Sequence, residues 1–117
     1  MRVFKTKDFA RFARKERIAI ARANRGQIDA DLGGGVIKQR VPRRGQGRSG
    51  GYRTLIAYRS AERSVFMLGF AKSDQDSIDA DDLEKLKAAA RVVLNFSEAD
   101  IREHLADRRW LEIECDA

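Results

Sequence analysis

The sequence predicts a small α+β domain built on a twisted antiparallel sheet, and three observations carry that reading. Three runs dense in β-branched and aromatic residues follow one another between residues 35 and 71. On both sides of them the apolar residues recur at helical spacing instead. A length of 117 residues with 43% hydrophobic content supplies one core without disulfide staples, and not two. The predicted order is β-α-α-β-β-β-α-α-β, with two helices before the meander and two after it.

Taken in order, Met1 to Phe4 reads as a short edge strand with Val3 and Phe4 apolar. Thr6 caps a helix with Phe9, Phe12 and Ala13 on its buried side and Arg11, Arg14 and Lys15 on the other. A second helix is expected from Ile18 to Arg25, stopped by Gly26, and Ile28 and Leu32 pack less regularly on the way to Gly33-Gly34-Gly35. The strands Gly35–Val41, Tyr52–Arg59 and Ser64–Ala71 form the meander. A short turn joins the last two, and the long polar loop Pro42–Gly51 joins the first two. From Asp81 the residues Leu83, Leu86, Ala90 and Val93 mark a helix, with Asp81 and Glu84 spaced as a capping box. Ser97 and Asp100 start a shorter helix with Ile101 and Leu105 inward, and Trp110–Cys115 alternates as a final strand.

Charge is unevenly spread along the chain. Through Lys72 there are 18 Lys and Arg against 5 Asp and Glu, and from Ser73 onward 6 against 13, so a basic half is joined to an acidic one. Of the 24 bases 17 are arginine, whose planar fork matches phosphate oxygens bidentately, so the partner expected is a polyanion. The bland alternative, a solvated surface, would be richer in lysine and interspersed with acids. The lone Cys115 forms no internal disulfide, no apolar run reaches membrane-spanning length, and residues 1–23 lack a signal-peptide core. The expectation is a soluble cytoplasmic protein with no membrane contact.

Conventional catalytic arrangements are missing. Gly45-Gln46-Gly47-Arg48-Ser49-Gly50 fits a glycine-rich nucleotide loop in letters, but a strand rather than a helix follows it, so no helix N-terminus awaits a pyrophosphate. A phosphate-binding loop would need a Gly-Lys-Ser/Thr that is not there, and a kinase would need a longer chain and its catalytic-loop signature. His104 is the single histidine, expected on an exposed helix face, which rules out a two-histidine nuclease. The aspartates of residues 74–82 lack the glycine and terminal glutamate of a calcium loop and read as a capped, solvated helix start. Neither metal nor cofactor is expected.

What remains is a basic cluster. From Lys38 to Arg53 there are six bases, four glycines and no carboxylate. Lys38 and Arg40 lie two apart on one strand and hence on one face, Arg53 opens the next strand, and Lys72 ends the one after. A salt-bridged edge that discourages aggregation is the competing account, weakened by the lack of nearby acids.

Three stretches, Leu32-Gly33-Gly34-Gly35-Val36-Ile37-Lys38-Gln39-Arg40, Gly47-Arg48-Ser49-Gly50-Gly51-Tyr52-Arg53-Thr54 and Gly69-Phe70-Ala71-Lys72-Ser73, together with the opening Val3-Phe4-Lys5-Thr6-Lys7, resemble the HigB branch of the RelE/ParE toxin superfamily. The resemblance covers nearly the whole chain. It implies a RelE-like fold, a sheet with two N-terminal helices and C-terminal helical structure. It also implies a bacterial type II toxin that cuts mRNA on the ribosome, the RNA 2′-hydroxyl attacking its own adjacent phosphate. Family site positions fall on Lys38, Arg40, Arg53 and Lys72. Arg43, Arg44, Arg48 and Tyr52 are then expected to contact RNA or ribosome. The late aromatic that stacks on a base in RelE has no tyrosine equivalent after Tyr58, so Phe70 and Trp110 stand as substitutes. The implied partner is a cognate antitoxin, expected to be a helix-turn-helix protein. Two other classes are weighed against this one: a ParE-like gyrase inhibitor, which needs no such cluster, and a non-catalytic RNA-binding module.

Overall fold

The three β-rich runs form the centre of a six-stranded sheet in the computed structural model, which describes residues 2–15, 30–41, 52–59, 62–71 and 78–113. Along the chain these are β1 (Arg2–Thr6), α1 (Lys7–Lys15), β2 (Ala30–Gly33), β3 (Val36–Val41), β4 (Tyr52–Arg59), β5 (Arg63–Ala71), α2 (Ala80–Leu94), α3 (Glu98–Ala106) and β6 (Trp110–Ile113). The sheet order is β2-β3-β4-β5-β1-β6. The helix expected at Ile18–Arg25 and the loop Pro42–Gly51 lie outside the described residues.

Two expectations about the sheet are corrected. β1 is not an edge strand: it is inserted between β5 and β6, antiparallel to β6 and parallel to β5, so the sheet is mostly rather than wholly antiparallel. Apolar patterning specifies that Val3 and Phe4 are buried, which both a central and an edge position satisfy. The approach to the glycines is also more regular than expected. Ala30–Gly33 is a strand pairing with β3 through the Gly33–Gly35 turn. At Gly35 the backbone has φ +83°, and a Cβ would come within 2.8 Å of Leu94 Cδ1, so this turn needs glycine for conformation and for clearance.

Helices cover both faces of the sheet. On one, α1 buries Phe9 and Ala13 against Val3, Ile37, Ile56 and Phe66. On the other, Ala90, Val93 and Leu94 of α2 and Ile101 of α3 close over Phe4, Val36, Leu55, Val65 and Trp110. Leu55 is fully enclosed there, and its truncation to alanine costs about 2–5 kcal/mol. Arg63 Nη1 donates to the Val93 carbonyl at 2.8 Å, tying β5 to the last turn of α2.

Helix starts follow local chemistry. Thr6 Oγ1 accepts from Phe9 N at 3.1 Å, and Ser97 with Asp100 forms a reciprocal capping box, both as the sequence suggests. The start of α2 differs: Asp79, not Asp81, is the N-cap, accepting from Asp82 N at 2.8 Å. His104 also departs from its expected exposed position. It is half-buried, its ring 4.5 Å from Phe96 and 5.4 Å from Trp110, with Nδ1 2.8 Å from the Asp100 carbonyl. The aromatic Phe96, outside the helical repeat, folds back and covers it.

Candidate functional site

The register of β3, β4 and β5 decides where the basic residues meet. Arg40 pairs directly with Arg53, Lys38 with Leu55, and on the far side of β4 Arg53 pairs with Phe70 and Leu55 with Leu68. Directly opposite residues in antiparallel strands share a face, with Cβ atoms roughly 4.5–5.5 Å apart. Lys38, Arg40, Arg53, Leu68 and Phe70 therefore form one patch beside Leu55, on the face that α2 and α3 cover further along.

A β-bulge puts Phe70 there. The β4–β5 ladder steps from Leu55↔Leu68 to Ile56↔Phe66, leaving Met67 as the extra residue. Phe66 faces α1 and belongs to its core, so strict alternation would send Leu68 and Phe70 to the same side. The bulge reverses the phase. Gly69 now faces α1, where a Cβ would collide with the Phe12 ring at 2.4 Å.

Arg53 is 7% exposed, and its Nη1 is enclosed without a hydrogen-bond acceptor among the described residues. Arg40 and Lys38 are half-buried. Among those residues no carboxylate is paired with Lys38 or Arg53, whereas Arg2, Arg59 and Arg109 each meet a glutamate. Like charges set directly opposite destabilise a ladder, and a buried donor without a partner costs about 1–3 kcal/mol. A phosphate at this patch would give the Arg53 nitrogen the acceptor it lacks among the described residues.

The remaining candidates separate. Phe70 is in the patch but 7% exposed. Tyr52 lies on the opposite face, 3% exposed, with its ring edge-on to Phe12 at 5.8 Å. Trp110 is 3% exposed on β6, with β5 and β1 between it and β4, stacked on Phe96 at 5.1 Å and tilted against Phe4 at 5.1 Å. Arg43, Arg44, Arg48 and Lys72 lie outside the described residues. Leu68, which the sequence did not single out, is 37% exposed on the patch, diagonal to Arg53. Its face depends on the bulge, for which the sequence offers no evident signal.

Comparison with protein families gives a match to the model described as the RelE toxin of the RelE / RelB toxin-antitoxin system, over residues 1–113. The chain belongs to the RelE toxin family. RelE membership makes it the toxin of a toxin-antitoxin pair, with a cognate antitoxin as partner, and places it in a family whose toxins commonly cleave mRNA. No curated protein matches the chain. Among the described residues no helix is long and apolar enough to cross a membrane.

Proposed function

We propose that this RelE-family toxin is a HigB-type, ribosome-dependent mRNA endoribonuclease whose chemistry is carried by Lys38, Arg40, Arg53 and Lys72. The observation that supports it best is Arg53, paired in register with Arg40 and buried with one guanidinium nitrogen lacking an acceptor among the described residues. In the reaction the 2′-oxygen forms a bond to the adjacent phosphorus and the bond from phosphorus to the 5′-oxygen breaks, leaving a cyclic phosphate. The 2′-hydroxyl proton passes to solvent water, and one proton arrives at the departing 5′-oxygen. Arg53 and Arg40 neutralise the phosphorane-like transition state, where each well-placed donor contributes about 3 kcal/mol. Lys38 or Lys72 supplies the proton to the leaving oxygen. With neither a histidine pair nor a serine nucleophile in use, alignment of the message by the ribosome provides much of the rate.

In this reading Arg43, Arg44 and Arg48 hold the RNA or ribosome, Phe70 beside Arg53 is the aromatic candidate for base contact while Trp110, packed in the core two strands away, is set aside, and Tyr52 contributes by supporting the β4 start from the α1 side. The toxin acts in the cytoplasm and is held in check by a helix-turn-helix antitoxin. The test is cleavage of a defined message by purified toxin, with and without ribosomes. Cutting only on ribosomes, lost in Arg53→Ala, is the expected result. Rapid cutting of naked RNA contradicts the ribosome requirement, and full-rate cutting by a folded Arg53→Ala contradicts the site.

A further inference from the structure

We infer that Leu68 is the seat for a base next to the scissile phosphate, so that this toxin holds one nucleotide at two points, the phosphate at Arg53 and the base at Leu68. The inference rests on the nuclease reading above and adds to it a contact that carries no charge. Among the described residues three large apolar side chains are exposed, Leu68, Val92 and Leu111. Val92 belongs to α2 and Leu111 to β6, which β1 and β5 separate from β4. Of these, Leu68 alone stands on β5, beside the strand that carries Arg53.

Two features of β5 leave Leu68 open. The pairing of β1 with β5 ends at Lys5↔Phe66, two residues earlier, so β4 alone flanks Leu68 in the ladder. The bulge at Met67 then turns it away from the α1 side, where Phe66 is enclosed, to the side of Arg53. A single exposed leucine needs no explanation by itself. What gives this one meaning is the buried cation next to it.

Leu68 pairs with Leu55 and Arg53 with Phe70, which makes Leu68 and Arg53 diagonal neighbours on one face, roughly 7–8 Å apart and within reach of long side chains. Arg53 is buried with Nη1 lacking an acceptor among the described residues, a position that suits an anionic oxygen. Phe70, at 7% exposure, leaves most of the accessible apolar surface beside Arg53 to Leu68. An anion without an apolar part uses only Arg53. A nucleotide uses both, since its base presents an apolar face one ribose away from its phosphate. Leucine has no hydrogen-bonding group, so it meets the face of a base and not its edge, and the contact is open to every base in proportion to its area.

The test is a mutant cycle on ribosomes programmed with an uncleavable message, which has a 2′-deoxynucleotide at the cleavage position, with binding of the full chain read by co-sedimentation. The message carries either its normal bases or an abasic residue on one side of the scissile phosphate, each side tried in turn. Wild type should bind one of the two abasic messages about fivefold more weakly than the intact one. Leu68→Ala should show that same loss on the intact message and lose nothing further on the abasic one, because the two changes remove one contact. Leu68→Met, which keeps the apolar surface, should restore the affinity, Leu68→Asn should not, and all three should melt with wild type. On a cleavable message Leu68→Ala should raise the half-saturating toxin concentration more than it lowers the rate at saturation. Losses from Leu68→Ala and from the abasic message that multiply overturn the inference, as does a folded Leu68→Ala with wild-type affinity or a wild type indifferent to both abasic messages. A variant that melts early marks Leu68 as a structural residue and overturns it as well. Wild type that shows the cycle yet cuts no message carrying the 2′-hydroxyl rejects the nuclease reading alone.

Discussion

Arg40 and Arg53 face one another directly across β3 and β4, a like-charged pair on the core side of a sheet. Arg53 is buried with one guanidinium nitrogen lacking an acceptor among the described residues, so its desolvation costs stability. Function and stability should therefore separate here. Arg53→Met, which keeps the volume and removes the charge, should melt no lower than wild type while cleavage falls about 100- to 1,000-fold. Thermal unfolding and single-turnover cleavage on programmed ribosomes measure the two. A variant that unfolds early would show that Arg53 is a structural residue.

Arg53→Lys retains the charge but loses the planar fork. If a phosphate is gripped bidentately between the two guanidinium groups, lysine restores little, and cleavage should stay at least about tenfold below wild type. Full recovery in the same assay would indicate that charge alone suffices.

Gly69 owes its identity to the bulge at Met67, which turns this position toward the Phe12 ring. Gly69→Ala should cost about 1–3 kcal/mol through overpacking, read as a lower urea midpoint at unchanged slope. Pairing it with Phe12→Leu should recover much of the loss, since the obstructing ring is then gone.

Acid should weaken the α3–β6 end of the sheet first. Two hydrogen bonds from Arg2, each 3.0 Å, hold the Glu112 carboxyl below its ordinary value of 4.5. The backbone N–H and side chain of Ser97 do the same for Asp100, whose ordinary value is 3.8. A lowered folded-state value stabilises above the unfolded value and loses that contribution as pH falls through the folded one. Stability should thus decline below about pH 4.5, and Glu112→Gln should flatten the upper part of that decline. The pair is largely exposed, so the loss at neutral pH should not exceed about 1 kcal/mol. Denaturant titrations from pH 3 to 7 check both statements.

The antitoxin should associate through charge. Reversing Arg43, Arg44 and Arg48 to glutamate should slow toxin–antitoxin association and reduce its salt dependence, as measured by stopped flow. Unchanged rates across salt would place the antitoxin on another face and make inhibition steric.

Much of this protein was legible in one dimension. Strand and helix periods marked every described element except β2, because period reports which face of an element is buried and needs no knowledge of its neighbours. Lys38 and Arg40 were likewise placed on one face by their spacing alone. The tertiary structure decided what depends on closure between distant segments. β1 enters the sheet beside β5 because its apolar residues find cover on both faces there, and Phe96 encloses His104 only once α3 has docked. Register pairs Arg40 with Arg53, and the extra residue at Met67 brings Phe70 and Leu68 to the same face. Alternation fixes only relative phase along one strand, so a single bulge reverses every side chain beyond it, and its position is set by how β4 and β5 pack against the helices on both sides.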